Sequence, residues 1–158
     1  MNYQQWLVPR AVVSETQEAF RRGAHEVFVL WTAPLQSNGS SCAISRAVVP
    51  QQSAGTSPRG GVYVHIAGDE LSRIQYDNYD KREQSVVQLH THPGRDVNMS
   101  ELDRQWEVVK HVGALSIIVP DYGARGLACF PGVFVYEREE HDWRLWPRAE
   151  LTRRLRTT

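Results

Sequence analysis

The sequence is poor in cysteine, with 2 such residues among 158, Cys42 and Cys129. Small secreted domains that depend on disulfides carry more, so a disulfide framework is excluded. We therefore expect both thiols to be free, buried and inert, in a reducing compartment.

The sequence also lacks an excess of charge of either sign. Lys and Arg number 18, and so do Asp and Glu, which gives a formal net charge of +0. A protein that binds nucleic acid through its overall charge would be strongly basic, so nucleic acid is not the expected partner. The arginine pairs at 21–22 and 153–154 leave open only a local basic patch.

Long hydrophobic runs are absent as well. No run approaches the roughly 20 apolar residues that cross a bilayer, and residues 1–13 have no apolar stretch behind a basic start, as a signal peptide would. The sequence therefore predicts a soluble, cytoplasmic protein without a membrane partner. Hydrophobic residues make up 41% of the chain, which is enough for the core of one domain.

Helix and strand patterns are mixed without strict βαβ alternation, which predicts an α+β protein with a mixed β-sheet flanked by helices. The first predicted helix is capped at Ser14 and ends before Gly23. A stretch rich in Pro, Gly, Ser and Gln predicts a loop at 50–61. The other predictions are strands at 25–32, 43–49, 62–66, 84–92, 115–119 and 133–136, a turn at 37–41, helices at 14–22, 68–82 and 100–111, and a short helix in the tail after 142.

One segment, LHTHPGRDVNMSELD at 89–103, concentrates residues with metal-binding chemistry. His90 and His92 lie two apart on a predicted strand, so their imidazoles face the same side. Ser100 and Asp103 lie in the first turn of the predicted helix that follows, from which Asp103 can reach the imidazoles. Two histidines and one carboxylate with an open fourth position are typical of a catalytic zinc site.

Each of these residues also has an ordinary explanation when taken singly. A histidine on a strand is most often structural or exposed, and we interpret the histidines at 25, 65, 111 and 141 in that way. Ser100 alone would be a helix N-cap. Asp103 alone would be a favourable charge at the start of a helix. Their joint spacing is what indicates a metal site.

The spacing H-x-H-x7-S-x2-D resembles the JAMM motif of the MPN/JAB-domain metalloproteases, and Pro93 matches the common H-x-H-P form. The resemblance implies a single MPN/JAB domain over residues 1–158, with a core at about 14–136 and a tail at 137–158. It implies one zinc ion per chain, bound by His90, His92 and Asp103. It also implies that Ser100 donates a hydrogen bond to the developing oxyanion.

The resemblance further requires a glutamate from an early strand as the general acid/base, and Glu26 is the best match. A carboxylate that enters a strand of large apolar residues is costly to bury unless it has a partner. The alternative is that Glu26 lies at an exposed strand edge; Glu70 and Glu83 are weaker matches. The strand continues with large residues at 27–31 where the family has small ones, which leaves the packing beside the site open.

The family resemblance implies an isopeptidase that cuts after the C-terminal Gly of a ubiquitin-like protein. Some related bacterial and archaeal proteins resemble components of small operons that encode a ubiquitin-like protein with E1-like and E2-like partners, several of them in antiviral defence. Alternatives are a peptidase that processes a sulfur-carrier protein, a non-catalytic MPN scaffold, and a JAB-like protein of DNA metabolism. The substrate-binding residues stay unknown, with segments 50–61 and 68–82, including Tyr76 and Tyr79, as candidates for a groove.

Overall fold

Strands and helices alternate irregularly along the chain. The structure is a computed structural model, and it describes residues 3–23, 25–35, 39–56, 62–100, 103–104, 107–127 and 132–158. In chain order the elements are β1 Gln5–Val8, α1 Arg10–Arg22, β2 Phe28–Pro34, β3 Ser41–Ala43, β4 Arg46–Val48, β5 Ser53–Thr56, β6 Val62–His65, α2 Gly68–Lys81, β7 Glu83–Thr91, β8 Leu115–Val119, a 3-10 turn Asp121–Gly123, β9 Phe134–Arg138, β10 Trp143–Leu145, α3 Arg148–Arg154 and β11 Leu155–Thr157.

A six-stranded mixed sheet in the order β10-β9-β8-β7-β2-β4 forms the centre of the molecule. β7 and β8 are parallel, and the other neighbours in this sheet are antiparallel. A second sheet, β11-β1-β3, joins the two ends of the chain, and β5 with β6 forms a separate hairpin. The predicted α+β class is confirmed.

The central sheet is covered on both faces, which explains why β7 and β8 are buried on both sides. On one face, Trp31, Leu89 and Ile117 pack in a cluster that includes residues of α1, β1 and α3. On the other, Leu30 packs with Ile74 of α2. Among the described residues, no helix is both long and apolar enough to cross a membrane.

Several predicted elements are confirmed and others need correction. The strands predicted at 62–66, 84–92 and 115–119 are β6, β7 and β8, and the helix predicted at 68–82 is α2. The predicted strand 43–49 is instead two short strands, β3 and β4, and β5 occupies part of the predicted loop at 50–61. Residues 57–61, residues 37–38 of the predicted turn at 37–41, and Cys129 lie outside the described residues.

Helix α1 begins at Arg10, four residues before the predicted cap at Ser14. The Val13 N–H donates to the Pro9 carbonyl at 3.2 Å, and Val12 and Val13 are buried. Packing of these two valines therefore stabilises a first turn that has no side-chain cap. Ser14 is an exposed residue inside the helix, whereas the predicted end before Gly23 is confirmed.

The helix predicted at 100–111 is wrong over its second half. Asp103 and Arg104 are helical, but residues 107–111 are not. The side-chain Oε1 of Gln88, on β7, accepts hydrogen bonds from the N–H groups of Val108 and Val109, both at 3.0 Å. These bonds and the burial of Val109 hold the segment against the sheet in an irregular conformation.

The tail is tied to the rest of the fold by a buried ionic network. Arg154 of α3 bonds to Glu137 of β9 at 3.0 Å and to Glu150 at 2.7 Å, and it also donates to the Tyr3 carbonyl. Arg144 of β10 bonds to the same two carboxylates, at 2.9 Å each. The division of the chain into a core and a tail stays a prediction.

We expect Arg154→Met to lower the free energy of unfolding by about 3–5 kcal/mol, because it removes one partner from a buried ion pair. Arg154 and Glu137 are each 7% exposed. Urea unfolding followed by tryptophan fluorescence measures the change. The exposed neighbour Arg153 is the matched control, and Arg153→Met should shift stability by no more than about 0.5 kcal/mol. If the two variants were equally stable, the buried ion pair of Arg154 would not contribute to the stability of the fold.

Candidate metal centre

The end of β7 presents His90 between two neighbouring strands. His90 is paired with Phe28 of β2 on one side and with Ile118 of β8 on the other. These pairings fix the backbone, and the side chain is 6% exposed. His92 follows directly after β7 on the same face, and its N–H donates to the Val119 carbonyl at 2.8 Å.

The side chains of His90, His92 and Asp103 come together at this end of the sheet. The Nε2 atoms of the two histidines are 3.0 Å apart. Oδ1 of Asp103 is 3.3 Å from His90 Nε2, and its Oδ2 is 3.4 Å from His92 Nε2. The three possible ligand atoms all lie within 4.8 Å of one another. Two imidazole nitrogens and one carboxylate at such distances can bind one metal ion.

The second ring nitrogen of His92 orients its imidazole. Nδ1 lies 2.7 Å from the Asp96 carbonyl oxygen, which can only accept a hydrogen bond, so Nδ1 carries the proton. Nε2 then keeps its lone pair toward the cluster. A backbone carbonyl that fixes the tautomer is the usual support of a metal-binding histidine, so the donor set fits a metal ion.

Asp103 is held by a reciprocal pair of hydrogen bonds with Ser100. The Ser100 N–H donates to Asp103 Oδ2 at 3.0 Å, and the Asp103 N–H donates to Ser100 Oγ at 3.1 Å. This is the geometry of a capping box at a helix start. It fixes the direction of the carboxylate, and it leaves the hydroxyl hydrogen of Ser100 free to donate.

The charges of the cluster favour a cation. Burial would raise the pKa of Asp103, but its close contacts with the imidazoles of His90 and His92 and the hydrogen bond from the Ser100 N–H outweigh it and hold that pKa well below its usual range. Burial would likewise lower the pKa of His92, yet Asp103 and the Asp96 carbonyl raise it on balance.

Glu26 lies next to the cluster without belonging to it. It precedes β2, which begins at Phe28 and not at the predicted residue 25. The pairing with β7 nevertheless continues, because the Thr91 N–H donates to the Val27 carbonyl at 3.1 Å and the Val27 N–H donates to Thr91 Oγ1 at 2.9 Å. Glu26 is therefore held beside His92.

Burial raises the pKa of Glu26, and the charges of His90 and His92 lower it in part. The carboxylate is half-buried and within electrostatic reach of both imidazoles, unlike a carboxylate on an exposed strand edge. The two weaker matches are engaged elsewhere: Glu70 bonds to Arg73 at 2.5 Å and Glu83 to Arg46 at 2.8 Å.

Four supporting contacts of the site were not predicted from the sequence. The Phe28 ring stacks on His90 with centroids 6.5 Å apart, and the Tyr136 hydroxyl donates to the Val97 carbonyl at 2.8 Å, which ties down the loop after His92. The other two are the Asp96 carbonyl and the Gln52 side chain. Strand alternation could have placed Phe28 on the His90 face, but no local pattern points to the others.

A cavity of about 340 Å³ adjoins Glu26, and its lining includes Pro50, Gln52 and Ser53. A larger cavity of about 660 Å³ lies at the opposite end of the sheet, beside Ser85 and Tyr79. Tyr76 and Tyr79 on α2 are 74% and 78% exposed. Of the two predicted groove segments, only 50–61 contributes to the lining of the cavity beside Glu26.

A curated protein of Sinorhizobium fredii, the probable metalloprotease y4jG, is 32% identical to this chain over 156 residues. The match covers 96% of this chain and 93% of the relative. The chain belongs to this metalloprotease family. A metal ion is therefore expected in this member, and within the described residues the cluster of His90, His92 and Asp103 is where it fits.

The fold of this metalloprotease-family chain is also similar to a solved structure, the solution structure of protein DSY2949 from Desulfitobacterium hafniense. The TM-score is 0.62 at 12% identity, with 98% of this chain and 93% of that chain covered. At this identity the likeness shows the fold alone. No family model matches the chain.

Proposed function

We propose that this protein is a zinc-dependent peptidase of the JAMM type that hydrolyses the bond after the C-terminal Gly of a ubiquitin-like protein. The observation that carries the proposal is the convergence of His90, His92 and Asp103, with Glu26 beside them. The JAMM spacing of these ligands, and of Ser100, supports this class over other metalloproteases.

His90 Nε2, His92 Nε2 and one Asp103 oxygen are the three protein ligands in this proposal. Nitrogen and carboxylate ligands with one open position suit zinc, and three protein ligands are typical of catalytic rather than structural sites. Zinc bound there would polarise the scissile carbonyl and lower the pKa of a bound water.

Glu26 is the general acid/base in this proposal. Its carboxylate accepts a proton from the attacking water and later donates that proton to the leaving amine. Half-burial keeps bulk solvent from competing for the proton, and the carboxylate lies within electrostatic reach of both imidazoles.

Ser100 supplies the hydrogen bond to the developing oxyanion. Its Oγ already accepts from the Asp103 N–H at 3.1 Å, so its own O–H group can point outward to the substrate. The residue is exposed, as a group that meets a substrate must be. A donor fixed before the reaction stabilises the charge that appears in the transition state.

The surroundings of Glu26 suit an extended polypeptide. In the described part of the chain β5 pairs only with β6, which leaves one backbone edge of β5 free. Ser53 and Ala54 of β5 line the cavity beside Glu26. A free strand edge binds an extended segment through its main chain, and the C-terminal tail of a ubiquitin-like protein is such a segment. E1-like and E2-like partners belong to this proposal as the enzymes that would make its conjugates.

The test is to incubate the zinc-loaded protein with a ubiquitin-like protein that carries a peptide extension after its C-terminal Gly. Intact mass should show a single cut after that Gly. Removal of the metal with a chelator should stop the reaction, and added zinc should restore it. Cleavage elsewhere, or of unrelated peptides equally well, would rule out the proposed specificity. A protein without zinc and without turnover would favour the non-catalytic scaffold.

A further inference from the structure

The side chain of Gln52 fills a gap beside the first residue of β2. β2 pairs with β7 along its length, but with β4 only from Leu30 to Thr32. In the part of the chain that the structure describes, Phe28 therefore has no strand neighbour on its β4 side. There, the Phe28 N–H donates to Gln52 Oε1 at 2.7 Å, and Gln52 Nε2 donates to the Phe28 carbonyl at 2.9 Å. One amide thus satisfies both backbone groups of a buried residue.

Gln52 is itself held in place. Its Nε2 also donates to the Pro50 carbonyl at 2.8 Å. The N–H of the adjacent Gln51 donates to Glu70 Oε2 at 2.5 Å, and Glu70, near the start of α2, is 6% exposed. The segment that carries the amide is therefore fixed to α2, and β5 begins at the next residue.

Phe28, whose backbone is bound by Gln52, lies between Glu26 and the cluster of metal-binding side chains. The Phe28 ring stacks on His90 with an interplanar angle of 13°. Glu26 lies two residues before Phe28. Val27, between them, pairs with Thr91 of β7 through its backbone, so the chain continues as in a strand and the side chains of Glu26 and Phe28 lie on the same side of it. A shift of Phe28 toward the gap would therefore move Glu26 relative to the imidazoles.

We infer that Gln52 is a positioning residue, which acts through the backbone of Phe28 to hold Glu26 against the cluster of His90, His92 and Asp103. The inference rests on the proposed function, because it gives Gln52 a part in the rate of the same reaction. Gln52 contacts neither the metal ligands nor, in this role, the substrate; its effect on the chemistry is carried by Glu26.

The test compares Gln52→Ala with Gln51→Ala, a change of the same residue type at the next position. The Gln51 side chain is exposed, and its N–H is retained in the alanine variant. We expect Gln52→Ala to lower kcat by about 10- to 100-fold, because displacement of a catalytic group by about 1 Å has such an effect. KM and zinc content should stay at the wild-type values, and Gln51→Ala should leave all three unchanged.

Amide hydrogen exchange gives a readout that does not depend on activity. The Phe28 N–H should exchange faster in Gln52→Ala and at the wild-type rate in Gln51→Ala. In a Glu26→Gln background, Gln52→Ala should cause no further fall in kcat, because the two changes act on one group. A full additional fall would overturn the inference, and so would loss of zinc from Gln52→Ala.

The proposed function and this inference fail in different ways. A wild-type protein that neither binds zinc nor cleaves the fusion would rule out both the proposed function and the positioning role of Gln52. An active, zinc-bound wild type whose Gln52→Ala variant matches Gln51→Ala in kcat and in Phe28 exchange would overturn the positioning role alone.

Discussion

Glu26→Gln should lower kcat by about 100- to 10,000-fold, the usual contribution of a general acid/base, and leave the metal in place. Glutamine keeps the size of the side chain but cannot take up the proton. The zinc content should not fall, because Glu26 is not among the three clustered ligands. The measurements are steady-state cleavage of the ubiquitin-like fusion and metal analysis of the same preparation.

The matched control for this change is Glu15→Gln, on the exposed face of α1. It removes the same charge from the chain and should leave kcat unchanged. Full activity of Glu26→Gln would show that another group transfers the proton. Loss of zinc from Glu26→Gln would instead show that the carboxylate supports metal binding.

The second large effect is expected from His90→Ala, which should reduce the zinc content from about one per chain to almost none. Loss of a group that merely orients a ligand weakens metal binding by about 10- to 100-fold, and loss of a ligand itself should cost at least as much. Turnover should disappear with the metal. Mass spectrometric metal analysis after dialysis against metal-free buffer measures the effect.

His65→Ala is the control for the loss of one histidine. His65 is exposed at the end of β6 and has no place in the cluster, so the variant should keep its zinc. His92→Ala should lose its zinc in the same way as His90→Ala. Because His92 is less buried, this second variant distinguishes loss of a ligand from a folding defect caused by changing the buried His90. Retention of one zinc per chain by both ligand variants would disprove the proposed metal site.

The parts of the fold that could be predicted are those with a strong local pattern. The prediction for β8 at 115–119 matches its bounds, and that for β7 is displaced by one residue at each end. β8 is a nearly continuous apolar run that ends before Pro120, as burial on both faces requires, and β7 ends shortly before the Pro93-Gly94 pair. The close spacing from His90 to Asp103 is local in the same sense, since it lies within one short segment.

The errors fall where distant contacts outweigh the local pattern. β1 was not predicted, because it depends on parallel pairing with β11 at the other end of the chain. The helix predicted to reach residue 111 does not, because Gln88 binds the N–H groups of Val108 and Val109. The start of α1 was placed too late because Ser14 has the pattern of a cap, whereas buried valines stabilise an earlier turn.

The amino-acid order alone determined that two imidazoles lie on one face of a strand and that the aspartate follows a serine by one helical turn. Alternation along a strand and the first turn of a helix set those directions without help from the rest of the chain. Tertiary structure decided which glutamate lies beside the imidazoles and which carbonyl orients His92. It also decided which side-chain amide bonds to the backbone at the start of β2. These contacts join residues far apart in the chain, and only the pairing and packing of strands brings such residues together.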